Sequence, residues 1–133
     1  MTRTTPAEQR DVVLAAGWRT PLARAGGAFA REDVAHLGAA IARELVARTG
    51  IDPGAIDEVI AGCAGVPADQ ANPGRVLALR AGIPEHVPAR TVARNCGSGM
   101  EAITTAATMI EAGRGDLFLC VGVEVMSRYP LFY

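Results

Sequence analysis

The 133-residue chain has no lysine: all 13 of its basic residues are arginine. Schiff-base chemistry, which needs a lysine amine, is excluded. No charge of one sign dominates either, since 13 basic residues face 14 acidic ones for a net charge of -1. A chain so balanced has no field to hold nucleic acid or an anionic membrane surface, and neither is expected as a partner. No apolar run approaches the roughly 18 residues of a membrane span, and the first ten residues carry charge without an apolar core. A soluble, cytoplasmic protein is the expectation. Cysteine is sparse: Cys63, Cys96 and Cys120 form no CxxC pair and no metal-ligand cluster. An odd number argues against a secreted disulfide framework. Internal repeats and low-complexity segments are also missing.

What is present is an alternation of strand-like and helix-like segments, the pattern of an α/β fold with a mainly parallel sheet under covering helices. Strands are expected near 11–16, 56–62, 91–93 and 117–123. The first, Asp11-Val-Val-Leu-Ala-Ala16, is a short apolar run stopped by Gly17 and Pro21. Helices are expected near 32–49, 73–80 and 98–112. In the first, Val34, Leu37, Ile41 and Leu45 recur at steps of three and four before Gly50. Asn72-Pro73 offers a cap and a first-turn proline for the second, which Gly82 closes. The third carries charge only at its ends, so it reads as buried on all sides. Ser98 and Glu101 have the spacing of a capping box at its start, although Asn95 is an alternative cap.

Cys96 stands at the mouth of that third helix, in Arg94-Asn-Cys-Gly-Ser-Gly-Met-Glu101. An ordinary thiol is mostly protonated at neutral pH, with a pKa of about 8.5, whereas unpaired N–H groups at a helix N-terminus favour the thiolate. The flanking Gly97 and Gly99 would let a substrate carbonyl approach the backbone. Context alone leaves Cys96 evenly balanced between a nucleophile and a buried structural cysteine. Cys63 and Cys120, inside or beside apolar strands, read as inert core thiols. His36 on the first helix and His86 in a proline-bounded loop read as structural or solvated, though a Cys96–His86 dyad of hydrolase type stays open. Arg94 is a candidate for assisting ionisation of Cys96, and Glu124 for a cap or salt bridge to the loop after the last strand.

The residues resemble the N-terminal half of a thiolase, a CoA-dependent acyltransferase that forms or cleaves β-ketoacyl-CoA. Asn95-Cys-Gly-Ser-Gly-Met-Glu-Ala102 is similar to the family's nucleophile motif, and Val121-Gly-Val-Glu-Val-Met-Ser127 and Gln70-Ala-Asn-Pro-Gly-Arg75 to two of its other segments. The related β-ketoacyl synthases share the fold, but the Cys-x-Ser-Gly form and the Glu-x-Met-Ser ending resemble thiolases. Ala93 and Cys63 depart from the usual residues without touching the nucleophile. The resemblance implies a thiolase-like half-fold, incomplete here, with residues 1–133 a partial N-terminal domain. It implies that Cys96 is acylated, its backbone N–H forming part of an oxyanion hole. Acyl-CoA and CoA would be substrates, with no bound cofactor and no metal. The Cys-Gly-Ser-Gly form gives a weak lean toward short acyl groups. The family's Gly-His-Pro histidine, its Cys-x-Gly cysteine and most of its CoA site have no counterpart here. The chain is therefore expected to be inactive alone and to act with the missing half or another thiolase subunit, in a homo- or hetero-oligomer. The alternative is a non-catalytic truncated thiolase serving as an interaction module or remnant.

Overall fold

The computed structural model describes residues 10–129. The expectations that fall on the first nine and last four residues lie outside them. Three helices and three strands run in the order α1 (Val34–Thr49), β1 (Glu58–Gly62), α2 (Pro73–Ala81), β2 (Ala89–Val92), α3 (Ser98–Glu111) and β3 (Phe118–Gly122). The strands form one parallel sheet in the order β2-β1-β3. Val59 pairs in register with Ala89 on one side and with Leu119 on the other.

Period-two alternation along β1 and β3 divides the core into two layers. Val59, Ala61, Leu119 and Val121 turn to the face covered by α1 and α2, where they meet Ala35, Ala39, Leu77 and Ala78. Ile60 points the other way, onto Ala102 and Ala106 of α3, with Phe118 and Cys120 packed beside it. Small residues on α1 and α2 let the two helices and the sheet approach closely. At its N-terminus α1 is capped by Asp33, whose carboxylate accepts from the His36 N–H, and at its end by Gly50 in the left-handed conformation.

Two expectations are corrected. The strand expected at 11–16 does not form: this stretch has no secondary structure, and Val13 and Leu14 are 77% and 79% exposed. A strand needs a ladder partner as well as an apolar pattern, and no described strand lies beside it. It runs instead as an arm tied at both ends of β3. Arg10 donates to the carbonyls of Ile110 and Gly115 and pairs with Asp116, while the Gly26 N–H donates to the Ser127 hydroxyl at 2.8 Å. The arm flanks the outer edge of β3 without pairing with it. The second correction concerns α3, which is covered on one side only. Ala102 and Ala106 are buried, but Met100 is 64% exposed, because no second described helix shares this face of the sheet.

Candidate active site

The position of Cys96 is set by backbone packed on backbone. Where α3 begins, it rests directly on the ends of β1 and β3. A Cβ on Gly62 would stand 2.1 Å from the Ser98 carbonyl oxygen, and one on Gly122 would stand 3.2 Å from the Gly99 Cα. At position 62 only glycine permits this approach, and at 122 any Cβ would be tight. The loop from β2 must then turn sharply into the helix, and Asn95 adopts φ +48°, the one left-handed non-glycine residue described. Asparagine tolerates that region better than most residues.

Neither expected cap forms. Gly97 occupies the N-cap position of α3 without a side-chain bond, so Cys96 lies one residue outside the helix. The Ser98 hydroxyl turns back into the loop: it accepts from the Arg94 N–H at 2.8 Å and donates to the Asn95 carbonyl at 2.7 Å. Glu101, the other half of the anticipated capping box, pairs with Arg94 at 2.6 Å. Arg94 is thereby directed along the helix rather than left free for the sulfur. Cys96 is exposed, and among the described residues its N–H has no acceptor.

Cys96 opens into a groove of about 810 Å³ between the arm, α1 and β3, with Trp18, Leu22, Leu37 and Val121 among its walls. The arm's share in this groove was not foreseen from sequence. The signal available was the presence of the large apolar Trp18 and Leu22 in the loop after the 11–16 run; both are exposed along the groove. His86 does not line the groove, so the structure does not bring a Cys96–His86 pair together. His36 sits on the first turn of α1, its imidazole 3.7 Å from Glu32.

The other two thiols occupy different surroundings. Cys63 is 0% exposed, and burial first, then the charge of Glu124 beside it, pushes its thiol up to about 11. Cys120 is raised by burial, and its Sγ lies 3.4 Å from the Ala102 carbonyl. Glu124 does more than cap its own loop. Its carboxylate accepts from the Ala64 N–H at 2.9 Å and from the Gly65 N–H at 3.2 Å, joining the ends of β1 and β3. Burial, then Glu124, Cys63 and Cys96, raise the neighbouring Tyr129 hydroxyl to about 12. The Gln70–Arg75 segment is a structural knot rather than a reactive group. Asn72 caps α2 and accepts from Thr91 on β2, and Arg75 donates to the carbonyls of Glu85 and Val87. Among the described residues no cluster of metal-binding side chains occurs, and no helix is long and apolar enough to cross a membrane.

A family model described as "Thiolase, N-terminal domain" matches residues 12–133. The chain belongs to the thiolase family. A Staphylococcus aureus protein named a probable acetyl-CoA acyltransferase is 42% identical over 120 residues, which are 90% of this chain and 30% of that protein. The crystal structure of the Bacillus anthracis acetyl-CoA acetyltransferase superposes with a TM-score of 0.76 at 40% identity, over 80% of this chain and 27% of that one. The Acat5 thiolase of Ascaris suum, solved in complex with coenzyme A, gives a TM-score of 0.81 at 26% identity, over 86% and 30%. The fold is thus an incomplete α/β thiolase fragment, and the chain spans about 30% of the length of the curated relatives it matches.

Proposed function

We propose that this chain is the nucleophile-bearing part of a CoA-dependent acyltransferase and that Cys96 accepts the acyl group. The observation that carries the reading is an exposed cysteine at the N-terminus of α3, facing a groove, with its own N–H free of any described acceptor. The thiolate attacks the acyl-CoA carbonyl, forming a new C–S bond. The oxyanion that develops accepts from the Cys96 N–H, an arrangement worth about 3 kcal/mol at a transition state. Collapse breaks the carbon–sulfur bond to CoA, which leaves as the thiolate and takes a proton, and an acyl thioester remains on Cys96. A second acetyl-CoA, deprotonated by a group outside this chain, then attacks that thioester; the reverse sequence cleaves β-ketoacyl-CoA.

Dependence on further polypeptide is part of the proposal. The outer edge of β3 carries no described strand, and the arm runs past it at both ends with the groove between them. Such an edge pairs readily with another strand. Combining the chain with the portion of the Bacillus anthracis acetyl-CoA acetyltransferase that lies beyond its matched 27% tests the reading. Acyl transfer from acetyl-CoA is expected, and Cys96→Ala abolishes it; transfer retained in the variant contradicts the proposal. The same free edge also fits a non-catalytic interaction module. A stable complex without transfer in the unsubstituted chain favours that second reading.

A further inference from the structure

A nucleophile held outside its helix depends on whatever fixes the loop it sits on, and here one buried hydroxyl closes that loop. Ser98 is 4% exposed, and its backbone carbonyl lies over Gly62. The side chain therefore starts from a fixed point on the sheet. From there its Oγ reaches both sides of Cys96's immediate predecessor. It accepts from the Arg94 N–H at 2.8 Å and donates to the Asn95 carbonyl at 2.7 Å. The Ser98 N–H also reaches the Asn95 carbonyl, at 3.1 Å, and the Gly97 N–H reaches the Arg94 carbonyl at 2.9 Å. Asn95 at φ +48° is the strained link in this turn, and a left-handed non-glycine residue persists only when its surroundings over-determine it. The hydroxyl supplies two of those determinants.

We infer that Ser98 is a positioning residue for Cys96: its hydroxyl locks Asn95 in the left-handed conformation and so holds Cys96 in place at the mouth of α3. Ser98 itself touches no substrate. The inference rests on the reading of Cys96 as the acyl acceptor for its functional meaning, but its geometry is testable without acyl transfer. Without the hydroxyl, the loop relaxes toward ordinary backbone angles, and the thiol no longer keeps its one place beside the groove.

Alkylation by iodoacetamide in the folded chain at a single neutral pH, with peptide mass mapping, reads this directly. Ser98→Ala is expected to slow alkylation of Cys96 by about fivefold, the scale of one loop hydrogen bond, with Cys120 unchanged. Ser98→Thr, which restores a hydroxyl, recovers the rate, and Asn95→Gly, which removes the left-handed penalty, recovers part of it in the Ser98→Ala background. Amide NMR signals of Asn95, Cys96 and Gly97 are expected to move in Ser98→Ala and return in Ser98→Thr. If Ser98→Ala does not fold, Ser98→Gly carries the same comparison. An unchanged Cys96 rate in a folded hydroxyl-free variant overturns the inference, as does a Thr variant no faster than the Ala one. Failure of the acyl-transfer reading shows separately, as acyl transfer surviving Cys96→Ala.

Discussion

Cys63 and Cys96 both come after the end of a strand and both lie near glycines, and they end in opposite surroundings. Cys63 continues β1 into a loop clamped by Glu124, is fully buried, and has its thiol pushed up to about 11. Cys96 lies beyond β2 in a turn that enters α3, and its side chain is exposed beside the groove. The residue type is the same, but the next element in the chain differs. A carboxylate packed against the Cys63 sulfur adds to burial in opposing its ionisation, whereas Cys96 stands open to the groove. Accessibility is thus set by the element after the cysteine rather than by the strand before it.

The sharpest way to break this contrast is to remove the platform under α3. Gly62→Ala places a Cβ 2.1 Å from the Ser98 carbonyl oxygen, an overlap that backbone atoms cannot relieve by a rotamer change. A loss of about 3 kcal/mol or more is expected in denaturant unfolding, together with loss of the difference in alkylation rate between Cys96 and Cys63. A Gly62→Ala chain as stable as the parent contradicts this packing.

Removing the clamp acts on the other cysteine. Glu124→Ala leaves the N–H groups of Ala64 and Gly65 without their carboxylate and is expected to cost about 2 kcal/mol. Cys63 then loses the neighbouring charge that, after burial, opposes its ionisation. Its alkylation rises while that of Cys96 stays within twofold. A Cys63 that remains inert in the folded variant shows that burial alone protects it.

A smaller effect separates the α1 cap from both cysteines. Burial works to raise the Asp33 carboxyl, but bonds from the His36 N–H, Arg80 and Gln70 outweigh it and hold the group at about 2. A depressed folded-state value stabilises above the unfolded value of 3.8 and is lost as pH falls toward about 2. With allowance for solvent, about 1–2 kcal/mol is expected to disappear in that window. Unfolding measured from pH 5 to pH 2 should show Asp33→Asn losing the acid dependence of the parent. Parallel curves for the two chains would remove Asp33 as its source.

Much of this arrangement was legible in the residues. The three-and-four spacing of Val34, Leu37, Ile41 and Leu45 before Gly50 describes α1, because a helix leaves its period in the sequence. The Asn95–Ala102 motif pointed to Cys96 and to the family. What the sequence did not disclose depends on neighbours distant along the chain. The run at 11–16 has the composition of a strand, but pattern reports side chains and not the ladder partner. Glu124 reaches residues some 60 positions away, a distance no local spacing encodes. Ser98 and Glu101 have capping-box spacing, yet the close seating on Gly62 and the adjacent Arg94 offered each a different partner. The apolar content of α3 describes a helix with a core on both sides, and only the sheet's layering shows that one side is open.

The central claim is that Cys96 carries the acyl group, and peptide mass mapping tests it most directly. The chain, assembled with the remaining portion of a thiolase, is mixed with acetyl-CoA and quenched in acid. An acetyl thioester is predicted on the peptide containing Cys96 and none on those containing Cys63 or Cys120. Acetylation of Cys63, or an assembled enzyme that turns over acetyl-CoA with Cys96 never modified, contradicts the claim.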